Sequence, residues 1–376
     1  MIFDFLTSLE KVHVAQTRAE REAIWSFRYD VYVRELNKSV ANADHDNGWV
    51  RDPDEDEPSV VIFYTGSPEE VTGTLRVDTW TPGGTPLLAA QRYGFHEVPA
   101  LLSQPIAEAS RLMVRRALRG QLIVPALARK AFSHAVDRGV HASFAYCSPG
   151  LVSSYRRLGY RPYGADLINT PDGLRVPLVM ATNDVVHFRS VRSPLHTLAR
   201  ERFKAGSSET FDMITEELGI ANAVETDEAD IWHDVESALL TRRVRPRLFD
   251  GLSNVQVRLV TSMGFVIDVD AGNTVTREDL DDRELYVILE GEFAIVKHGK
   301  EVARMAAGDV VGELTFLAED RRRSATILAV HDGKLLVLGR KVLDDLHERD
   351  AEVAYQLLFN LARVTAARFS KHLAGA

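Results

Sequence analysis

The stretch from Gly308-Asp309-Val310-Val311-Gly312-Glu313-Leu314 to Arg323-Ser324-Ala325-Thr326 limits the fold more than any other part of the chain. An apolar strand ends in a glycine turn, Gly312-Glu313-Leu314 opens a short helix, and Arg323 follows ten residues after Glu313. Amides in the first turn of a helix lack intrahelical partners and carry partial positive charge, so a phosphate placed there is satisfied without a metal. A guanidinium nearby adds a charge-assisted contact. Glu313 is the wrong charge for phosphate but suits a ribose hydroxyl, which can donate to it. Sugar and phosphate held this close describe a compact nucleotide. The alternative is a barrel that keeps the shape and pairs Arg323 internally.

Gly312-Glu313-Leu314 and Arg323-Ser324-Ala325-Thr326 resemble the phosphate-binding cassette of the cyclic nucleotide-binding domain family. Leu285-Tyr286-Val287-Ile288-Leu289-Glu290-Gly291 resembles the strand and turn before that cassette, and Ala271-Gly272 an earlier turn. The resemblance spans residues 246–376 and implies a C-terminal β jelly-roll with flanking helices. It implies cAMP or cGMP as effector, with Glu313 on the ribose 2′-hydroxyl, Arg323 on the cyclic phosphate, and Ser324 beside phosphate or base. Gly312, Leu314 and Thr326 complete the implied site.

A chain of 376 residues is too long for one ordinary core and points to two or three domains. Its 45% hydrophobic and 26% charged residues are those of a soluble globular protein. The net charge of -9 argues against a nucleic-acid partner, which usually meets a basic face. Cys147 is the single cysteine, so neither an intrachain disulfide nor a cysteine-built metal site is available, and a cytoplasmic setting is the expectation. The first residues, Met1 to Leu6, lack the basic start of an export signal, and no apolar run has the length of a membrane span. No metal is expected.

In the first half, Glu22 to Val33 carries Ile24, Phe27 and Val31 at helical spacing, with Arg28 among them. An acidic segment follows, Asp44 to Asn47 and Asp52 to Glu57, which lacks EF-hand spacing and reads mostly as solvated loop. Ser59 to Tyr64 and Val71 to Trp80 read as a hairpin around Gly66-Ser67-Pro68. Glu108-Ala109-Ser110-Arg111-Leu112-Met113-Val114-Arg115 reads as another strand, running through Arg119-Gly120-Gln121 into a helix with Pro125 in its first turn. This turn repeats the logic of a helix N-terminus facing an anion, here a pyrophosphate or phosphopantetheine. A strand from Ala142 to Cys147 then leads through Pro149-Gly150 into a helix bearing Tyr155.

These two blocks, in this order, resemble the acyl-thioester site and tyrosine-bearing helix of the GNAT N-acyltransferases. Arg28-Tyr29-Asp30-Val31-Tyr32, Leu75-Arg76 and Glu108-Ala109-Ser110-Arg111-Leu112 followed by Arg119-Gly120 are similar to the branch of N-acyl amino acid synthases and acyl-homoserine-lactone synthases. The implied fold is α+β: a GNAT mixed sheet flanked by helices over 1–190, a helical linker over 191–245, and the jelly-roll domain over 246–376. The implied reaction moves an acyl group from acyl-CoA or acyl-carrier protein to the amine of a small amino acid. The family's usual second glycine in the phosphate turn is Leu122 here, which leaves the carrier protein open as donor.

By this resemblance Glu108 takes the amine proton, through water, and Tyr155 protonates the departing sulfur. Main-chain amides of Met113 and Val114 hold the thioester oxygen, and Arg115, Arg119, Gly120 and Gln121 line the donor turn. Arg28, Arg76 and Arg111 are implied to bind the acceptor carboxylate or the carrier. A carboxylate needs burial to become a base at neutral pH.

Glu201 to Lys204, Phe211 to Leu218 and Ile231 to Leu240 read as linker helices. The final helix, Glu352 to Leu373, is suited to covering the nucleotide or to pairing with a second chain as a homodimer. It leaves no room before Ala376 for a helix-turn-helix, so DNA binding is disfavoured. Two other readings stay open: a cAMP-regulated protein-lysine acetyltransferase, and a non-catalytic cyclic nucleotide sensor.

Overall fold

A computed structural model describes residues 10–96, 98–163, 166–203, 216, 232, 235–237, 245–318 and 322–374. The expected linker helices over Phe211–Leu218 and Ile231–Leu240 lie almost wholly outside them. The chain forms two units: 1–147, 154–168 and 176–221 make the first, and 148–153, 169–175 and 222–376 the second.

In the first unit, β1 (Val12–Val14) precedes α1 (Arg18–Tyr29), and then come β2 (Val60–Gly66), β3 (Val71–Trp80), α2 (Leu87–Arg92) and β4 (Ile106–Val114). After these follow α3 (Ile123–Asp137), β5 (Ala142–Cys147), α4 (Val152–Leu158), β6 (Gly173–Ala181) and α5 (His196–Phe203). The strands lie in the order β1-β2-β3-β4-β5-β6. Neighbours run antiparallel except β4 against β5, which is parallel, so the sheet is mixed as expected.

The near-continuous apolar run of β2 has a physical reason. Its Phe63 packs with α3 residues Ile123, Leu127 and Ala131, whereas Ile62 and Tyr64 pack with Ile24, Phe27 and Val31 on the α1 side. Successive side chains of a strand point to opposite faces, so a strand covered on both faces must be apolar throughout. Each such side chain contributes roughly 1.5–3 kcal/mol by leaving water. Gly73 lets α3 approach closely: a Cβ there would sit 2.6 Å from the Ile123 side chain.

Helix α1 begins four residues before the apolar pattern does. Thr17 accepts from the Glu20 amide at 3.2 Å, and Glu20 accepts from the Thr17 amide at 2.8 Å. This reciprocal capping box fixes the start. Beyond Tyr29 the helix widens into a π turn, Asp30–Glu35, which carries Tyr32.

The second unit contains α6 (Asn254–Thr261), β7 (Phe265–Val269), β8 (Thr274–Thr276), β9 (Leu285–Glu290), β10 (Glu292–Lys297), β11 (Lys300–Ala306) and β12 (Val310–Val311). Helix α7 (Glu313–Leu317), β13 (Thr326–Ala329), β14 (Gly333–Leu338), α8 (Val342–Arg349) and α9 (Ala351–Ala374) complete it. Two antiparallel sheets, β7-β14-β9-β12 and β8-β13-β10-β11, form the jelly-roll. Leu285, Val287, Leu289 and Leu336 pack against Val353, Leu357 and Leu361 of α9, and Val235 joins the same core.

Candidate active site and nucleotide cradle

The pairing of β4 with β5 covers only Ile106–Glu108 against Ala142–Phe144, although β4 runs on to Val114 and β5 to Cys147. The two parallel strands therefore part just past Glu108. On its other side β4 pairs with β3 through a register shift between Thr74 and Arg76, where Arg111 takes a left-handed φ of 55°. A bulge of this kind re-aims side chains, and left-handed non-glycine residues concentrate at functional sites.

Glu108 is buried at the fork. Its Oε1 accepts from the Tyr93 hydroxyl at 2.7 Å and from Arg92 Nη1 at 3.1 Å. Burial, and then the Glu108 charge, push the Tyr93 hydroxyl well above its usual value, so it stays a donor. The Arg92 guanidinium stands 5.9 Å from the Tyr146 ring centre. Arg92, Tyr93 and Tyr146 were invisible as site residues in the sequence because α2 is short and its surroundings carry no motif.

Arg28, Arg76 and Arg111 do come together, around acidic residues of their own chain. Arg111 places Nε 2.9 Å from Asp52 Oδ2 and Nη2 on Oδ1. Arg76 reaches Asp54 at 2.7 Å, Asp78 at 3.2 Å and Asp52 at 3.6 Å. Arg28, with 0% exposure, pairs with Glu55, whose other oxygen takes Trp25 Nε1 at 2.5 Å. The segment read as solvated loop thus contributes two buried carboxylates, Asp52 and Glu55, and that expectation is corrected. Burial works against the Asp52 charge, but Arg111, Arg28 and Arg76 outweigh it and hold the carboxyl down to about 2.

On the donor side, Met113 and Val114 are buried where β4 has left β5. Arg119 Nε donates to the Val114 carbonyl at 3.1 Å, and the same guanidinium pairs with Glu35 at 2.6 Å. Arg115 donates to the Val71 carbonyl at 2.9 Å, with its guanidinium 5.7 Å from the Phe27 ring centre. Gly120 has a φ of 88° and faces open space, Gln121 is exposed, and α3 starts without a side-chain cap. Pro125 has no N–H and the Ala126 amide is bonded to the Leu122 carbonyl, so the first turn of α3 offers an anion only the amides of Ile123 and Val124, while both arginines already have partners.

Tyr155 lines a narrow apolar pocket of about 40 Å³, together with Leu75, Ala109, Ala131, Phe132 and Met180. Burial raises its hydroxyl well above the usual value, so it is protonated at neutral pH. One polar pair, Ser143 with Tyr160 at 2.9 Å, also borders the pocket.

In the second unit Gly312 precedes α7 with a φ of 88°, and a Cβ there would lie 2.4 Å from Arg323 Nη1. No other residue fits this turn. Arg323 is 2% exposed, donates to the Glu284 carbonyl at 2.7 Å, pairs with Asp282, and stacks on Tyr286 at 5.2 Å. Burial opposes its charge, yet Asp282 and Tyr286 outweigh that and raise its pKa. Its Nε and Nη1 are buried without a partner among the described residues, which leaves two charged donors for an anion. The internal pairing and the open donors coexist in one side chain.

Glu313 is buried and pairs with Arg368 of α9 at 2.8 Å, a partner the sequence did not suggest. Leu314 and Ser324 are exposed, whereas the Thr326 hydroxyl accepts from the Glu278 amide at 2.9 Å and so is engaged within the fold. Among the described residues no group of three or more His, Cys, Asp or Glu side chains could hold a metal ion, and no helix is long and apolar enough to cross a membrane.

Residues 23–184 match the family described as N-acyl amino acid synthase FeeM, and residues 266–350 match the cyclic nucleotide-binding domain. The chain joins an acyltransferase domain of the first family to a domain of the second. Of the curated relatives, the Pycsar effector protein BcPycTIR of Burkholderia cepacia is 29% identical over 104 residues, covering 28% of this chain and 34% of that protein. The cGMP-dependent protein kinase, isozyme 1, of Drosophila melanogaster is 32% identical over 100 residues, covering 26% of this chain and 13% of the kinase. The chain therefore spans about a third or less of these relatives' lengths. The solved structure of FeeM, an N-acyl amino acid synthase from uncultured soil microbes, aligns at 15% identity with a TM-score of 0.39, covering 50% of this chain and 97% of that one. The synthase match includes Arg28, Arg76, Glu108, Arg111 and Tyr155, and the nucleotide-binding match includes Gly312, Glu313 and Arg323.

Proposed function

We propose that the chain transfers an acyl group from a pantetheine thioester, on coenzyme A or an acyl-carrier protein, to the amine of a small amino-acid-like acceptor, under control of cAMP or cGMP. The observation that supports it best is the fork after Glu108, where a buried carboxylate is followed by Ala109, which lines an apolar pocket shared with Tyr155. Residues 1–190 would be the acyltransferase domain, 191–245 the linker and 246–376 the effector domain, in a cytoplasmic protein.

In this reading Glu108 accepts a proton from the acceptor ammonium through water, and the freed nitrogen attacks the thioester carbonyl. Amides of Met113 and Val114 take the negative charge that develops on oxygen. The C–N bond forms, the C–S bond breaks, the Tyr155 hydroxyl gives its proton to the sulfur, and the second proton shed by the nitrogen restores the Tyr155 hydroxyl. The acyl chain lies in the pocket beside Ala131 and Phe132, out of water.

The phosphate of the effector would meet the unpartnered Nε and Nη1 of Arg323 and the amides after Gly312, with its ribose at Glu313. Effector binding is expected to change the transfer rate by a coupling of about 1–3 kcal/mol. Mass spectrometry of products from acyl-CoA or acyl-carrier protein plus an amino-acid mixture, with and without cAMP or cGMP, tests both halves. Acylated products whose rate responds to nucleotide are expected, and an unchanged rate at saturating, calorimetrically bound nucleotide would refute the regulation.

A further inference from the structure

We propose that Arg92 and Glu108 together read the acceptor as a zwitterion, the guanidinium taking its α-carboxylate and the carboxylate its α-amine. The inference rests on the acyl-transfer reading above and names the carboxylate-binding residue it lacks. The three arginines implied for that task are matched within the chain: Arg28 by Glu55, Arg76 by Asp54 and Asp78, and Arg111 by both oxygens of Asp52. The two nitrogens of Arg28 without a partner belong to a side chain that is wholly covered, so an acceptor in the fork does not reach them.

Arg92 differs in each respect. It ends α2 with its side chain 39% exposed, and its one carboxylate partner among the described residues is Glu108 itself, at 3.1 Å. Tyr93 and Arg92 both bind the same oxygen of Glu108, Oε1, so Oε2 is the oxygen that would take the amine. In an α-amino acid the nitrogen and the carboxylate carbon are both bonded to Cα and so lie about 2.5 Å apart. A zwitterion laid across the Arg92–Glu108 pair closes a ring of four alternating charges, and the Tyr146 ring beside Arg92 forms one wall. An amine without the carboxylate keeps the Glu108 contact and loses the Arg92 contact.

The test compares L-amino acids with their decarboxylated counterparts, such as tyrosine with tyramine and leucine with isoamylamine, on the full chain. Wild type, Arg92→Ala and Arg92→Lys are each assayed for kcat and KM. Wild type is expected to favour the amino acid by about tenfold or more, as one charge-assisted contact allows. Arg92→Ala should lower the preference for the amino acid over its amine, as the ratio of their KM values, by about tenfold, with Arg92→Lys in between. The matched amine separates a lost carboxylate contact from a disturbed Glu108, because the latter slows both acceptors alike. Arg92→Ala or Arg92→Lys that retains the full preference overturns the inference, as does wild type with no preference. If wild type acylates neither the amino acids nor their decarboxylated counterparts, the acyl-transfer reading falls first and takes this inference with it.

Discussion

Asp52 holds the Arg111 guanidinium on both carboxylate oxygens, and from the same position it lies 3.6 Å from Arg76 and 3.9 Å from Arg28. One buried carboxylate thus serves two buried cations, Arg28 and Arg76, and a third, Arg111, that is half-buried. Asp52→Asn keeps the shape and removes the charge, so it leaves guanidinium groups desolvated without compensation. The expected loss is about 3–5 kcal/mol in a urea titration, as for other broken buried pairs. A loss under about 1 kcal/mol, the value of a surface pair, would show that water reaches the cluster.

Gly312 and Arg323 form the second dependent pair. Gly312→Ala puts a methyl 2.4 Å from Arg323 Nη1 and 2.7 Å from the Glu284 carbonyl, at a backbone φ of 88°. Arg323→Ala removes the donors themselves. Calorimetric titration with cAMP and cGMP should show affinity reduced by about a hundredfold or more for each, which corresponds to ~3 kcal/mol of lost charge-assisted contacts. Retained affinity in Arg323→Ala would mean that the phosphate does not sit on its free nitrogens.

Much of this was legible beforehand because it depends on local pattern. The cassette from Gly312 to Arg323 is short, and the turn geometry that demands glycine also demands its neighbours. The strands around Phe63 and Leu75 announced themselves through continuous apolarity. What stayed hidden was long-range partnership. Asp52 and Arg111 are 59 residues apart, and nothing in an acidic loop distinguishes a carboxylate that will be buried from one that will stay wet. Arg368 meets Glu313 across a similar gap, and Arg92 reaches Glu108 from a helix of 6 residues with no motif of its own.

Tyr155→Phe removes the hydroxyl and leaves the wall of the apolar pocket in place. Loss of a general acid usually costs about 10²–10⁴ in rate, so kcat should fall at least about a hundredfold with KM nearly unchanged. The loss should shrink for an acyl thioester of an acidic aromatic thiol, whose thiolate leaves without help. Equal losses with alkyl and aromatic thioesters would reassign Tyr155 to packing.

His134 and His187 give the first unit a pH dependence whose sign follows from burial. Burial, reinforced by Arg138 near His134 and by Arg161 near His187, holds both rings down to about 4. In the unfolded chain each takes a proton near pH 6.5, while the folded chain refuses it until about pH 4. Their contribution is therefore fully present above pH 6.5 and is lost as pH falls from 6.5 to 4, by up to about 3 kcal/mol for His187 and by less for the half-buried His134, which water screens. Urea titrations at pH 7.5 and pH 5 should show the wild type losing stability between them, and the His134→Gln/His187→Gln double variant losing distinctly less. Identical losses in the two proteins would place the acid sensitivity in other groups.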